Sequence, residues 1–408
     1  MILSVGYGIC AIVLAGVYGT IFARLAAFRR RFPTLREWEG PSPPTWPKVS
    51  VIVPCRNEEA GVEKAMLSLL AQDYPELQIL AVDDRSEDAT GAVLDALAAR
   101  DPRLTVLHIA TLPDGWLGKN HAMRQGAARA DGSWLLFTDG DVMFEPGALK
   151  RSVAFAKAHG LGHFIALPRF VADGFLERAF VSTFMISFSV LDPTRLHVAK
   201  SWSFVGVGAF GLVRRDAYER IGGHERLAFE VADDVKLGLL LRRGGVAQGC
   251  LDSDGMVSVR WQNGFLASLR GLEKNAFAAL EWDPVAAVLG ISAFLGATLL
   301  PYAPLVFTLP IWTWPFAAFC AFVQVLLVSA ASRHSASGTG LEGLLAPFMA
   351  LSLAGVITWS TMLALARGGI VWRGTFYPLA RLRQHCVRVL SLKAENGVGW
   401  TPPTRPRR

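Results

Sequence analysis

Charge is scarce in this chain of 408 residues: Asp, Glu, Lys and Arg make up 18%, against 52% apolar residues. A water-facing surface needs more charge than that, so part of the chain is expected to face lipid. Cysteine is sparse as well. Cys10, Cys55, Cys250, Cys320 and Cys386 are odd in number, scattered, and never paired as C-x-x-C. That excludes a disulfide framework. Disorder is excluded too, because the apolar content is ample for a core. The formal net charge of +7 raises the question of nucleic acid. The basic residues gather beside the apolar runs rather than on the charged middle of the chain. No nucleic-acid partner is therefore expected, and a lipid bilayer is.

Charged residues are missing altogether from three stretches. Met1 to Ala23 is the first, 23 residues long. At ~1.5 Å per residue it is long enough to cross a hydrocarbon core. Arg24, Arg29, Arg30, Arg31 and Arg36 follow it. Basic residues behind an apolar run, rather than in front, indicate an anchor and not a cleaved leader. The positive-inside rule then places the next domain in the cytoplasm. The expected location is a plasma or inner membrane, crossed several times. Val285 to Ser332 is uncharged over 48 positions, with Pro301, Pro304, Pro310 and Pro315 near its middle. It reads as two spans and a tight turn. Gly343 to Ala366 adds 24 uncharged residues. A buried core helix is rarely apolar on all sides for so long.

The tail from Arg367 to Arg408 holds nine Lys or Arg and one acid, Glu395. That composition suits the cytoplasmic face. Yet one anchor and three later spans would leave the tail outside. Either one apolar segment is re-entrant or interfacial, or the tail breaks the rule. The expected organisation is an anchor over 1–28, a soluble domain over 48–280, about three transmembrane helices over 284–367, and a basic interfacial tail over 368–408.

Within the soluble part, Arg36 to Lys48 is Pro-rich and reads as a linker. Strands and helices then alternate. Val49 to Val53, Leu77 to Val82, Leu104 to Ile109 and Trp134 to Thr138 are short apolar runs expected as strands. Glu58 to Gln72, Asp88 to Arg100 and Lys119 to Ala130 have helical spacing between them. This order predicts an α/β domain with a mostly parallel sheet. Such sheets bind ligands beyond the carboxyl ends of their strands.

Acidic residues stand at those ends. Asp139-Gly-Asp141 follows the fourth strand. Two carboxylates one residue apart in a turn can hold a hard divalent cation while substrate phosphates complete its shell. D-x-D by itself is also a common surface turn. Asp83 and Asp84 follow the second strand, either as a solvated cap or as acceptors for a base or ribose. Asp88 suits a helix N-cap. Asp233 and Asp234 form a third pair, at the first turn of a helix where acids complement the dipole. A general base for a hydroxyl would also be a carboxylate in such a position.

Taken together these elements resemble the family-2 glycosyltransferases, inverting enzymes of GT-A (Rossmann-like) fold. The resemblance covers roughly Lys48 to Phe277. Val49-Ser-Val-Ile-Val-Pro-Cys-Arg-Asn-Glu-Glu59 looks like the opening strand with its P-x-x-N-E ending. Val82 to Asp88 looks like V-D-D-x-S-x-D, and Gly118-Lys-Asn-His-Ala122 like G-K-x-x-A. Asp139-Gly-Asp141 resembles the metal motif. Gly206 to Gly223 resembles the segment before the base, and Ala232 to Leu237 the E-D-x-x-L motif, with Asp233 where Glu is usual. The resemblance implies that Pro54, Glu58 and Asp83 or Asp84 line a nucleotide site. It also implies that Lys119 approaches the donor sugar or its phosphates, and that Asp139 and Asp141 hold Mn²⁺ or Mg²⁺. Asp234 would be the base, with Asp233 beside it.

Processive members carry Q-x-x-R-W. Here Arg260-Trp261 is present but Val257 stands in the place of Gln. Val257 to Phe277 looks more like the V-x-V-R…G-x-x-K-N-x-F stretch of relatives that glycosylate carotenoids, hopanoids or ceramide. Asp233, Arg260, Trp261 and Lys274 are then candidates for the acceptor or diphosphate side, with interfacial anchoring the other reading of Arg260, Lys274 and Asn275. Phe175 to Leu191 and Phe265 to Leu280 suit either the interface plane or ordinary core burial, and Gly369 to Tyr377 has a membrane-boundary composition. The implied activity is a single sugar transfer from a nucleotide diphosphate sugar, UDP being the expected nucleotide, to a membrane lipid acceptor. The alternatives are a processive polysaccharide synthase and an inactive glycosyltransferase-like membrane scaffold.

Overall fold

A computed structural model describes residues 2–188, 196, 203–336 and 338–389. The chain divides into two compact units. The apolar unit comprises Met1–Phe32, Phe170–Val190 and Trp261–Arg383; the α/β unit comprises Pro33–Arg169, Leu191–Arg260 and Gln384–Arg408.

The first element is helix α1 (Ile2–Arg31), which belongs to the apolar unit. The α/β unit then follows the alternation seen in the sequence: β1 (Val49–Cys55), α2 (Val62–Leu70), β2 (Leu77–Asp84), α3 (Thr90–Ala98), β3 (Leu104–Ile109), α4 (Gly118–Arg129), β4 (Trp134–Phe137), β5 (Val142–Phe144) and α5 (Ala148–Ala158). After β6 (His163–Leu167) and β7 (Arg169–Phe170) the chain enters the apolar unit as α6 (Phe175–Ser187). It returns as β8 (Gly211–Arg214), α7 (Arg215–Arg220), α8 (Asp233–Arg243), β9 (Gln248–Asp252) and β10 (Val257–Val259).

Seven strands make one sheet in the order β3-β2-β1-β4-β8-β6-β9. β3, β2, β1 and β4 are mutually parallel, as are β6 and β9; β8 runs antiparallel to β4 and β6. β1 and β2 are buried on both faces, as a parallel strand covered by helices must be. Ile52, Leu80, Val82, Met123, Leu135, Phe137, Val213 and Leu237 form the core between the sheet, α4 and α8. β5, β10 and β7 form a small second sheet.

The rest of the apolar unit is α9 (Phe265–Gly271), α10 (Pro284–Leu299), α11 (Trp314–Ser335), α12 (Ala346–Arg367), the hairpin β11 (Gly369–Trp372)–β12 (Thr375–Pro378) and α13 (Leu379–Gln384). The segments holding α1, α10, α11 and α12 are long and apolar enough to cross a membrane. The proline-interrupted stretch between the two expected spans forms short 3₁₀ turns over Leu300–Leu305 and Ile311–Thr313. Gly8 lies against the Trp312 ring, and Gln324 Nε2 donates to the Tyr18 hydroxyl at 2.7 Å, so α11 runs in the same direction as α1. The Tyr7 and Tyr18 hydroxyls donate to the carbonyls of Leu300 and Ala297, so α10 runs the opposite way. Residues 189–191 of the expected interfacial segment and 390–408 of the basic tail lie outside the described residues.

Candidate active site

Parallel strands end where their hydrogen-bond ladder stops, and the turns beyond carry the polar groups. β1 ends at Pro54 and Cys55, and the loop beyond it is tied to the loop after β2. Asn57 Oδ1 accepts from Glu87 N at 2.8 Å, Glu58 N donates to Thr90 Oγ1 at 2.8 Å, and Glu59 N donates to Asp88 Oδ2 at 3.1 Å. Asp88 Oδ1 also accepts from Thr90 N, but the N-cap of α3 is Ala89, so Asp88 stands one residue before the cap position expected of it.

Asp83 and Asp84 point to opposite sides, because successive strand residues alternate. Asp83 accepts from the backbone N–H of Ser86 at 3.2 Å and meets His108 Nδ1 at 3.0 Å, beside Gly91 of α3. Hydrogen bonding to Asp83, then to Asp95, raises the His108 pKa. Asp84 pairs with Arg85 through two contacts, of 2.8 and 3.1 Å, and abuts Gly118 at the start of α4. Of the two acids, Asp84 is therefore the one at the start of α4.

Lys119 is the centre of the cleft. Its Nζ lies 2.7 Å from Asp139 Oδ1 and 3.6 Å from Asp233 Oδ1. Burial works against the ammonium, but the carboxylates of Asp139, Asp233 and Asp234 outweigh it and hold its pKa above the ordinary value. Burial raises the Asp233 pKa; Lys119 opposes this, and Asp234 and Asp139 add to it. Asp141 stands two residues along the β4–β5 turn. Crowding by the surrounding protein, then the charges of Asp139 and Glu58, push it up to about 6.

Glycine makes this convergence possible. A Cβ on Gly208 would stand 2.7 Å from Asp139 Oδ2, and 3.5 Å from both Asp234 Oδ2 and Lys119 Nζ. A Cβ on Gly206 would stand 1.9 Å from the Asp234 carbonyl oxygen. The chain before β8 thus lies directly on the first turn of α8, as only glycine permits. Behind it a small cavity is lined by His163, Gly208, Gly211, His224, Asp233 and Asp234. Burial depresses both histidines to about 3, aided at His224 by Lys119.

The approach to α8 is held from two sides. Asn120 Nδ2 donates to the carbonyls of Leu227 and Glu230. On the other side the segment after α13 crosses it. His385 stacks on Phe229 at 5.0 Å, Val387 N donates to the Glu230 carboxylate, and Lys236 Nζ donates to Val387 O at 2.5 Å. Arg243 donates to the carbonyls of Arg388 and Val389. Nothing in the sequence signalled this strap, since backbone acceptors have no residue signature.

Three other candidates are placed differently. Arg260 is the exposed last residue of its stretch of the α/β unit. Trp261 and Lys274 belong to the apolar unit, where Trp261 stacks on Phe184 at 4.7 Å and Lys274 Nζ lies 4.0 Å from the centre of the Trp372 ring.

The family described as Glycosyl transferase family 2 matches residues 50–222. The uncharacterized glycosyltransferase EpsJ of Bacillus subtilis is 37% identical over 95 residues, 23% of this chain and 26% of that protein. The 4,4'-diaponeurosporenoate glycosyltransferase of Staphylococcus aureus is 26% identical over 238 residues, 56% of this chain and 60% of that one. The chain thus spans less than two thirds of either curated relative. Among solved structures, the mannosyltransferase PcManGT of Pyrobaculum calidifontis, in complex with GDP-Man and Mn²⁺, superposes with a TM-score of 0.53 at 20% identity. That match covers 88% of this chain and 98% of the other, and the shared fold is GT-A.

Proposed function

We propose, from the premise that residues 50–222 carry a family-2 glycosyltransferase domain, that the protein is an inverting glycosyltransferase. It moves one sugar from a nucleotide diphosphate donor to a hydroxyl or carboxyl group of a membrane lipid. The observation that carries this reading is the meeting of Lys119, Asp139, Asp233 and Asp234 in one cleft at the strand ends. The four long apolar helices and the carotenoid-acid name of the Staphylococcus relative support a lipid acceptor.

Asp139 and Asp141 would hold a divalent cation, Mn²⁺ or Mg²⁺. The donors are all oxygen, which suits a hard cation, and the crowding of Asp139, Asp141 and Glu58 is negative charge that a cation relieves. Once bound, the cation offsets charge on the departing diphosphate. Lys119, held among three carboxylates, adds a fixed positive group on the same side. Asp234 takes the acceptor proton as the acceptor oxygen bonds to the anomeric carbon and the carbon–diphosphate bond breaks. Asp84 and Glu58 line the nucleotide side. Attack opposite the leaving group inverts the anomeric centre.

Incubation of the full-length protein with radiolabelled UDP- or GDP-sugars, Mn²⁺ and total bacterial lipid tests this. Label is expected in one lipid species, and a ladder of products would instead indicate a polymer synthase. Asp139→Ala and Asp234→Asn variants that transfer as well as the parent would overturn the assignment of roles.

A further inference from the structure

We infer that α12 does not cross the bilayer: it lies along the membrane surface, on the side where α1 ends and α10 begins, with one face seated in lipid. This rests on where the helix ends are tied, and not on the transfer reading.

The chain leaves the apolar unit after Phe32 and after Arg383. Because α10 runs against α1 and α11 runs with it, the end of α1, the start of α10 and the end of α11 share one side. The start of α12 is held there. Arg333, at the end of α11, donates to Thr339 O at 3.3 Å. The carboxylate of Glu342 is fully buried. It accepts from Gly340 N at 2.7 Å and from Arg178 Nε at 2.8 Å, near the beginning of α6.

The far end of α12 returns to the same side. The Ser360 hydroxyl donates to Glu273 O, and Arg367 Nη1 lies 3.3 Å from Glu273 Oε1. Sixteen residues on, Arg383 Nε donates at 2.9 Å to the carbonyl of Trp282, two residues before α10 begins. A helix of 22 residues is about 33 Å long, enough to reach the opposite surface of a ~30 Å core if it stood upright. With both ends tied to one side, it lies down.

Its two faces fit that position. Met349, Leu353 and Val356 are buried against Phe180 of α6 and Leu272 after α9. Phe348, Leu351, Trp359 and Met362 are 49–61% exposed and form a stripe at helical spacing on the other side. A free interfacial helix turns its polar face to water. Here α6, α9 and Phe294 of α10 cover that face instead, so a helix with almost no charge can sit at the boundary. The chain then crosses three times, through α1, α10 and α11. The basic residues from Arg367 onward return to the side of Arg24 to Arg36, where anionic head groups attract them. The conflict between span count and tail charge disappears.

Single-cysteine variants of the full-length protein test this, in a background where all five native cysteines, Cys10, Cys55, Cys250, Cys320 and Cys386, are alanine. Leu341→Cys precedes α12, Ala380→Cys follows it, and Phe307→Cys lies between α10 and α11. Sealed vesicles of known orientation are treated with a membrane-impermeant maleimide. Leu341→Cys and Ala380→Cys are expected to label from one side and Phe307→Cys from the other. Labelling of Leu341→Cys and Ala380→Cys from opposite sides would overturn the inference. Should those variants fail to insert, spin labels at Phe348→Cys and Trp359→Cys report depth by power saturation. Depths within about 5 Å of each other are expected for a helix in the plane, since 11 residues of an upright helix would separate them by roughly 16 Å.

Discussion

Lys119, in the first turn of α4, and Asp139, in the turn after β4, are 20 residues apart, yet their side chains meet at 2.7 Å. The lysine also stands 3.6 Å from Asp233, so one ammonium joins the turn after β4 to the acids of α8. That contact sets the charge balance of the cleft. Lys119→Met is expected to lower transfer by about 10²-fold or more, the usual scale for losing one preorganised electrostatic group. Transfer assays checked against the circular dichroism of the variant measure this.

Asp233 and Asp234 are neighbours with different surroundings. Asp233 is nearly buried and faces Lys119; Asp234 is half-buried and reaches the Gly208 side of the cleft. Asp234→Asn should reduce kcat by about 10²–10⁴-fold with little change in donor KM, as expected for loss of a base. Asp233→Asn should act mainly through Lys119 and weaken donor binding. Separate kcat and KM values for the two variants distinguish these roles.

Metal binding should depend on pH in a defined direction. The Asp141 carboxyl, raised to about 6, is protonated below that value, and a proton competes with a cation for the same oxygens. Mn²⁺ affinity is expected to rise with pH up to about 6 and then level off. Calorimetric titration between pH 5 and pH 8 checks it, and Asp141→Asn should flatten the profile as it weakens binding.

His163 and His224 are buried and neutral, with pKa values near 3. In the unfolded chain each titrates near 6.5, so the unfolded state takes up protons first as pH falls. The stability is fully present above pH ~6.5 and is lost progressively toward pH ~3. At pH 5 the loss is about 2 kcal/mol for each histidine. Thermal denaturation of the detergent-solubilised protein at pH 7.5 and pH 5 should show it, and His163→Gln should reduce the difference.

Both polar groups of the Val387 backbone hold the strap after α13, the carbonyl to Lys236 of α8 and the N–H to Glu230 just before it. Lys236→Met removes one of those bonds and leaves the Val387 carbonyl without that donor. It is expected to destabilise the α/β unit by about 1.5–3 kcal/mol, the scale of a hydrogen bond to a charged group, and to speed proteolytic cleavage around residues 385–389. Limited proteolysis followed by mass spectrometry measures the latter.

The alternation of strands and helices from Val49 to Phe137 was readable because parallel strands, covered on both faces, must be continuously apolar. The turn at Asp139-Gly-Asp141 was readable because strand ends are where polar residues reappear. The choice between Asp83 and Asp84 was not. Both end the same strand, and only the position of α4 against one face separates them.

The amino-acid order alone determined which segments are apolar enough for lipid and which strand ends carry acids, since both follow from local composition and period. Only the tertiary structure decided that Lys119 stands among three distant carboxylates and that a tail backbone clasps α8. Such contacts join residues up to 157 positions apart, and nothing in local sequence encodes the closure of so long a loop.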